Sequence, residues 1–281
     1  MIDSMNKGIL MVLVSALLFS LGGLFTKMIP WEGFSISSGR CIFSSLFFVA
    51  YFLIQKKKLK INKMTIIGAI LVCANMTCYI ECNKLTTAAN TIILEYVAPI
   101  YIVIFNMLFR KRRPRGYEIV VSASVLLGVI LVLAGDLGKG NSLGNIIALF
   151  SGVIYAFVIM LNEFEGGDSM TSMLLGHIMC IFIGFPSLLA ETDFSFKVVA
   201  SVIMFGTLIT GGGYFFLSLG TKHCDSLTAS IVACVEPILN PIFVLLFYGE
   251  KLSLLTIAGA LIVISSIVAY NVLMKKEMKV S

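Results

Sequence analysis

The sequence predicts an all-helical membrane protein with ten transmembrane helices in two inverted five-helix repeats. The prediction comes from the composition, from ten long apolar runs, and from a match between the two halves of the chain. The 281-residue chain is 58% hydrophobic and only 13% charged. Soluble domains average about 45–50% apolar and about 25% charged residues, so this chain has too few polar side chains to cover a soluble surface. The composition therefore excludes a soluble enzyme, a disordered chain and a fibrous protein.

The apolar residues are grouped in runs of membrane-spanning length. A helix needs about 20 apolar residues to cross the hydrocarbon core of a bilayer, which is roughly 30 Å thick. Ten such runs lie at residues 7–29, 33–54, 63–82, 86–109, 117–135, 143–162, 172–190, 198–219, 225–248 and 253–274. Each is bounded by charged residues or by Pro, Gly, Asn or Asp. The connections between them are short and leave no room for a soluble domain.

The basic residues lie mainly in alternate connections. Lysines are clustered in residues 56–63, and basic side chains again in Arg110–Arg115. With both termini in the cytoplasm, most of the 21 Lys and Arg residues lie on the inner side. The positive-inside rule therefore predicts cytoplasmic termini in a plasma or inner membrane. The acidic connection Glu163–Asp168 is a mild exception to this pattern.

The net charge and the cysteines point to no further partner or cofactor. The formal charge of +6 comes from cations that flank apolar runs, not from a basic face of a folded domain, so nucleic acid binding is not indicated. None of the seven cysteines forms a CxxC pair, and no His/Cys spacing suggests a metal site. Free thiols that act as small hydrophobic side chains explain them better. We expect no metal and no cofactor.

The second half of the chain repeats the first. At an offset of 138 residues the matches include Lys84 with Lys222, Ile93 with Ile231, Pro99 with Pro237 and Phe105 with Phe243. An offset of 136 matches the first apolar run to the sixth. The chain therefore divides into two predicted repeats of five helices, at residues 1–140 and 141–281.

Because five is an odd number, the second repeat must enter the membrane from the opposite side. The connections agree, since Arg110–Arg115 is strongly basic whereas its counterpart Gly249–Ser253 carries one Glu and one Lys. Inverted repeats are typical of secondary transporters, in which two related halves surround a central site and open it to either side in turn. The repeat therefore predicts secondary transport by alternating access.

Several short motifs resemble the drug/metabolite transporter superfamily, and within it the EamA-type ten-helix branch. They are Arg40 in the second run, the prolines Pro99 and Pro237, and Gly249–Leu252 before the last run. The resemblance implies a ten-helix inverted-repeat fold with a central cavity, and export of small metabolites such as amino acids or quaternary amines. Glu250, the acid within Gly249–Leu252, has no acidic counterpart in the first half, where Arg112 stands at the equivalent position.

Three ionisable residues lie inside predicted spans, where each charge costs about 2.5–3.5 kcal/mol and so faces a cavity or a partner. Arg40 either holds an anionic group of the substrate or forms a permanent ion pair with an intramembrane acid. Glu95 stands four residues before Pro99, and Glu236 directly precedes Pro237. Proline loosens the helix around it, which makes both acids candidate proton carriers. The alternative is a buried acid satisfied by Arg40 or by a backbone amide.

Polar and aromatic stripes on other spans supply further candidates for substrate binding, although such stripes also join helices to one another. The candidates are Ser15 and Phe19 on the first span, Asn75 and Tyr79 on the third, Asn90 and Tyr101 on the fourth, Tyr155 on the sixth, His177 on the seventh and Asn240 on the ninth. Gating or kink candidates are Pro99, Pro237, Gly211, Gly212 and Gly213, with close helix packing as the alternative for the glycines.

The sequence thus predicts a secondary active transporter, working as an exporter or exchanger of a small polar or amphipathic metabolite such as an amino acid or an amine. The proton is its predicted coupling ion, and it works as a monomer or homodimer in the lipid bilayer. An intramembrane enzyme and a membrane scaffold are the alternatives. The sequence does not favour an enzyme, because it contains no HExxH, GxSxG or GxxxxGK[ST] motif. The scaffold would need a soluble binding surface, which short connections do not provide.

Overall fold

The computed structural model describes residues 2–86, 88–132, 141–239, 242–243 and 254–280, whose regular secondary structure is helical. Its helices are α1 (Ile2–Phe19), α2 (Gly22–Met28), α3 (Gly33–Ile54), α4 (Lys63–Leu85), α5 (Ala88–Glu95), α6 (Ala98–Arg110), α7 (Gly116–Val132), α8 (Ser142–Met160), α9 (Ser169–Ala190), α10 (Phe196–Met204), α11 (Gly213–Gly220), α12 (Ser226–Ala233) and α13 (Leu254–Val280). A 3-10 turn at Leu161–Glu163 follows α8, and a π-helix at Phe205–Gly212 joins α10 to α11.

Each of the ten predicted runs overlaps one helix or several helices in line. Among the described residues, seven helical segments are long and apolar enough to cross a membrane, and three shorter apolar helices accompany them: Ala98–Arg110, Gly116–Leu131 and Ser226–Leu239. The fifth and ninth runs continue into residues outside the described ranges. Many large apolar side chains lie on the outside of the bundle, as expected for a surface that faces lipid. The chain is therefore an integral multi-pass membrane protein.

The fourth run is two helices. Helix α5 ends at Glu95, Tyr96 and Val97 form a turn, and α6 begins at Ala98 with Pro99 in its first turn. Proline has no amide hydrogen and clashes with the carbonyl four residues earlier, here that of Glu95. The result is a break between two short helices at this point.

The ninth run breaks at the equivalent place. Helix α12 ends at Ala233, residues 234–235 form a turn, and the chain is helical again over residues 236–239, which include Pro237. This turn lies 138 residues after the turn of the fourth run, so the two halves share it. The first run is also interrupted, at residues 20–21, which the sequence did not predict.

The bundle is built from contacts between the two halves. The second helix of each half packs against its equivalent, α3 against α9, and the fifth helices pair in the same way, α7 against α13. Helix α4 packs on α8 and α9, and the π-helix and α11 pack on α1 and α3. A core of buried apolar side chains joins these contacts. The middle of the bundle therefore lies between elements of both halves.

Two glycines allow the helices around the centre to approach closely. A Cβ atom on Gly152 would lie 2.5 Å from the carbonyl oxygen of Leu94, so α8 lies directly on the end of α5. A Cβ atom on Gly206 would lie 2.4 Å from the carbonyl oxygen of Arg40, which brings the π-helix onto α3. Any side chain at either position would push these helices apart.

We name the two ends of the bundle by their connections. The basic face carries the clusters at residues 56–63 and Arg110–Arg115, together with Lys222. The opposite face carries the connection at residues 29–32, where Trp31 is buried, and the connection at residues 191–195.

Candidate functional site

A cavity lies in the middle of the bundle between elements of both halves. Its lining residues are Phe19, Gly22, Arg40, Tyr79, Glu95, Tyr96, Tyr155, Phe205, Ile209, Thr210, Tyr214 and Glu236. Its volume is about 40 Å³, enough for only a few water molecules. Pockets for small organic ligands occupy about 300–1,000 Å³. In this structure the cavity is therefore too small to hold such a ligand.

Arg40 supplies the positive charge of the cavity. It is 5% exposed, and its Nη2 donates a hydrogen bond to the carbonyl oxygen of Met76 at 3.0 Å. The guanidinium carbon lies 5.1 Å from the ring centre of Phe205, a cation–π contact that Gly206 makes possible by letting the π-helix approach. Its Nε has no hydrogen-bond partner, and none of the described carboxylates forms an ion pair with it. The cation therefore retains unused donors beside the cavity.

Glu95 ends α5 and is held by neutral donors. Its Oε1 accepts hydrogen bonds from Asn75 Nδ2 at 2.9 Å and from Ser151 Oγ at 3.2 Å. Asn75 also donates to the carbonyl oxygen of Ser151 at 3.3 Å, which connects α4, α5 and α8. Ser151 reaches the carboxylate because Gly152 allows α8 to lie against the end of α5. Glu95 is 6% exposed and has no cationic partner among the described residues.

Glu236 lies at the break of the ninth run and comes from the other half. Its Oε2 accepts a hydrogen bond from the hydroxyl of Tyr96, the residue that follows Glu95. The ring of Tyr96 in turn meets the ring of Tyr155 edge to face, with 6.3 Å between centres. The two helix breaks thus bring Glu95, Tyr96 and Glu236 to one cavity, and Tyr155 of α8 lies beside them.

Tyr214 connects α11 to the Glu95 network. Its hydroxyl donates to Asn75 Oδ1 at 3.1 Å, and its ring meets that of Phe19 edge to face, with 4.8 Å between centres. Because the other end of the Asn75 amide donates to Glu95, one side chain links an element of the second half to a carboxylate of the first.

The other predicted site residues lie at different depths. Phe19, Tyr79 and Tyr155 line the cavity. Ser15 is buried behind it, where its hydroxyl donates to the carbonyl oxygen of Gly213 at 2.8 Å. Tyr101 lies outside the lining and stacks on Phe105, with 6.3 Å between ring centres. The side chain of Asn90 and the whole of Asn240 fall outside what the structure describes.

His177 is fully buried behind the cavity wall. Its ring lies between those of Phe48 and Tyr214, with centres 5.3 and 5.7 Å away. Neither ring nitrogen has a hydrogen-bond partner among the described residues.

The glycines of the eighth run pack closely against other helices. A Cβ atom on Gly213 would lie 2.3 Å from the ring of Phe19, and one on Gly212 would lie 3.2 Å from Leu18. Gly211 faces Phe47 at a similar distance of 3.2 Å. Gly211 and Gly212 end the π-helix and Gly213 begins α11, so this run is also the least regular part of its span.

Sequence reasoning missed five lining side chains: Tyr96, Phe205, Ile209, Thr210 and Tyr214. The sequence did indicate Tyr96, because it lies between Glu95 and Pro99, where proline breaks the helix. Tyr214 directly follows the glycine run. The sequence did not indicate Phe205, Ile209 and Thr210, because the π-helix that turns them toward the centre is not visible in it.

The cavity thus has one cation and two acids that are not paired with each other. In the part of the chain that the structure describes, no group of three or more His, Cys, Asp or Glu side chains is arranged to hold a metal ion. Charges buried at this depth are costly unless a partner neutralises them. The arrangement is therefore suited to a solute or ion that supplies the missing opposite charges.

The sequence profile of the EamA-like transporter family matches this chain twice, at residues 6–134 and 142–272. The chain belongs to the EamA-like transporter family. Members of a transporter family bind and move solutes, and a cavity lined by both repeats is consistent with that activity.

Individual proteins show the same likeness over nearly the whole chain. An uncharacterized transporter of Clostridium kluyveri is 22% identical, covering 95% of this chain and 94% of that protein. The uncharacterized inner membrane transporter YicL of Salmonella typhimurium is 24% identical over 94% and 95% of the two chains. Human solute carrier family 35 member G1 is 24% identical, over 92% of this chain and 77% of its own length. A solved structure superimposes with a TM-score of 0.81 at 15% identity, covering 96% and 98% of the two chains, which shows a shared fold.

Proposed function

We propose that this EamA-like protein is a secondary active transporter that carries a small solute by alternating access. It works as an exporter or exchanger in the plasma or inner membrane, with both termini in the cytoplasm. The observation that carries the proposal is the cavity in which Arg40, Glu95 and Glu236 meet without forming an ion pair. A structural core gains nothing from three ionisable groups without a charged partner, whereas a binding site for a charged solute uses them.

Ten spans in two inverted repeats, residues 1–140 and 141–281, are the architecture that supports this mechanism. The family profile matches once in each half. Equivalent helices of the two halves pack against each other, and the fourth and ninth runs break 138 residues apart. Broken helices around a central site are typical of transporters built from inverted repeats.

The charges of the cavity favour a zwitterionic solute such as an amino acid. The unused donors of Arg40 suit a carboxylate, which guanidinium groups bind well. The carboxylates of Glu95 and Glu236, with the ring of Tyr155 beside them, suit an ammonium group. Because the cavity is much smaller than an amino acid needs, the solute binds only after one face opens.

The two acids also provide coupling to protons. Neutral donors, Asn75 and Ser151 for Glu95 and Tyr96 for Glu236, hold each carboxylate. Either a proton or the ammonium group of a solute neutralises such an acid, and the two compete for it. A carrier with this property exchanges solute for protons, which export against a gradient requires.

A thermal stability screen of the purified protein tests the binding site. Amino acids and amines are added one at a time, because a ligand that binds only the folded state raises the unfolding temperature. We expect an amino acid to stabilise the wild-type protein and to lose that effect in Arg40→Ala. The variant Arg40→Lys keeps the charge but not the guanidinium geometry, so an amino acid should stabilise it less than it stabilises the wild type. Stabilisation that is unchanged in Arg40→Ala would contradict the assigned role of Arg40.

Flux into proteoliposomes then tests the coupling. With the stabilising solute as cargo at saturating concentration, the double variant Glu95→Gln, Glu236→Gln should bind the solute more weakly and no longer respond to an imposed pH gradient. Unchanged pH-driven flux in this variant would show that neither acid carries the proton.

A further inference from the structure

The connection between α8 and α9, residues 161–168, contacts both halves of the protein at the basic face. Its residue Glu163 is held on two sides. Oε2 forms an ion pair with Arg110 Nη1 at 2.6 Å, and Oε1 accepts a hydrogen bond from the backbone amide of Ser226 at 2.7 Å. The side chain of Glu163 is only 12% exposed and that of Arg110 is 42% exposed, so the ion pair is partly shielded from water. One carboxylate therefore joins the first half to the second.

The two partners of Glu163 are the ends of two particular helices. Arg110 is the last residue of α6, and Ser226 is the first residue of α12. These helices contact each other. At their other ends, α6 begins next to Tyr96 and α12 ends shortly before Glu236, and both of those residues line the cavity. Helices α6 and α12 thus occupy the space between the cavity and the basic face.

We propose that Glu163 is a latch that holds α6 and α12 together and so closes the cavity toward the basic face. The proposal rests on the alternating-access function given above. Because α6 and α12 lie between the cavity and the basic face, a solute taken up for export from that side passes these helices, and they cannot separate at that end while one carboxylate binds both. Breaking the latch shifts the population toward a state that is open on the basic face.

The rest of the connection fixes Glu163 in position. Asn62, in the connection that follows α3, donates to the carbonyl oxygen of Gly166 at 2.8 Å. Asp168 Oδ2 lies 3.5 Å from Lys222 Nζ and 3.8 Å from Lys60 Nζ. The connection is thus anchored to both halves beyond Glu163, so the latch is not a freely moving side chain on a loose loop.

The variant Glu163→Gln removes the ion pair and keeps an oxygen that can accept from Ser226. The matched control is Glu165→Gln, which removes the same charge from the same connection. Glu165 is exposed and has no ion pair among the residues that the structure describes. A change in the bulk charge of the basic face affects both variants equally, whereas loss of the latch affects only the first.

Hydrogen–deuterium exchange of the purified wild-type and variant proteins, without any solute, tests the latch. In Glu163→Gln we expect the amides of residues 96–101 and 226–239 to exchange about five- to twentyfold faster, the range set by partly exposed ion pairs and charge-assisted hydrogen bonds. Glu165→Gln should match the wild type. Faster exchange confined to residues 161–168, or equal changes in both variants, would overturn the proposal.

A second variant guards against simple misfolding. The variant Arg110→Gln removes the ion pair from the α6 side and leaves the hydrogen bond from Ser226 to Glu163, so exchange in residues 96–101 should rise as it does in Glu163→Gln. The double variant Arg110→Gln, Glu163→Gln should be no faster than either single variant, because both lose the same ion pair. Additive increases, in proteins with the wild-type unfolding temperature, would also overturn the latch. Because no solute is used, failure of the latch leaves the solute-binding test of Arg40 untouched, and failure of that test leaves the latch result standing.

Discussion

On the basic face, charged side chains pair with each other and some of these ion pairs join the two halves, whereas on the opposite face charged side chains bond mainly to backbone groups. On the basic face, Glu163 pairs with Arg110, and Asp168 pairs with Lys60 and Lys222. The two lysines that the repeat makes equivalent show the difference. Lys222 Nζ lies 3.5 Å from the carboxylate of Asp168, and Lys84 Nζ donates to the carbonyl oxygen of Trp31 at 3.0 Å.

The opposite face is closed by an aromatic side chain and backbone hydrogen bonds. Trp31 is 4% exposed, its Nε1 donates to the carbonyl oxygen of Asp193 at 2.8 Å, and its ring lies 5.3 Å from that of Phe194. Beside it, Glu191 accepts a hydrogen bond from the backbone amide of Glu32 at 2.8 Å. The two faces are therefore held together by different chemistry, and single substitutions should weaken one face without the other.

The largest effect should come from Trp31→Ala on the opposite face. Removing a buried aromatic side chain costs about 3–5 kcal/mol, because the ring also packs against Gly39 of α3. The free energy of unfolding, measured by SDS titration in mixed micelles, should fall by that amount. The control Trp31→Phe keeps a ring and loses only the indole hydrogen bond, so its loss should be smaller. Equal losses in the two variants would show that the ring does not close this face.

A smaller effect should follow from Asp168→Asn on the basic face. The free energy of unfolding should fall by about 1–2 kcal/mol, because hydrogen bonds to a charged group are lost. Burial alone raises the pKa of Asp168, but the Thr171 amide and the charges of Lys222 and Lys60 lower that pKa below its ordinary value of 3.8. A carboxyl group with a lowered pKa contributes stability above its ordinary pKa and loses it as the pH falls through the folded value.

SDS titration at several pH values checks the direction in which the contribution of Asp168 to stability changes with pH. The difference in unfolding free energy between the wild type and Asp168→Asn should be the same at pH 6 and pH 8, and should shrink below about pH 4. A difference that grows as the solution becomes more acidic would contradict the assigned ion pairs.

The smallest effect should come from salt. At 1 M ionic strength the screening length falls to about 3 Å, and partly exposed ion pairs contribute about 0.2–1 kcal/mol. Hydrogen–deuterium exchange of residues 161–168 should therefore accelerate by less than about fivefold. Exchange of residues 29–34 on the opposite face should not change, since backbone hydrogen bonds and an aromatic contact hold it. Acceleration on both faces alike would remove the distinction between them.

Much of the fold was predictable because the bilayer imposes it. Apolar runs of fixed length gave the helices, and the helix bounds agree within a few residues, as for α3 at Gly33–Ile54. The charged residues of the cavity were predictable for the same reason, since Arg40, Glu95 and Glu236 stand out against an apolar background.

The aromatic wall and the latch were not predictable. Tyr96 and Tyr214 are two of nine tyrosines, and in a span a tyrosine also packs between helices or faces lipid. Glu163 appeared only as part of an acidic connection that departs from the positive-inside pattern. The structure gives the physical reason for that departure, because its partner Arg110 is 53 residues away in sequence and meets it only in the folded bundle.

The break in front of α6 gives this helix a pivot. Because Pro99 has no amide hydrogen, the carbonyl of Glu95 has no intrahelical partner to lose when α6 tilts away from α5. The backbone resists that motion little, so the side-chain packing of α6, such as Phe105 on Phe157 of α8 with 4.3 Å between ring centres, sets most of its cost. In the proposed transport cycle, the speed at which the cavity opens then depends on packing residues that can change without altering the groups that bind the solute.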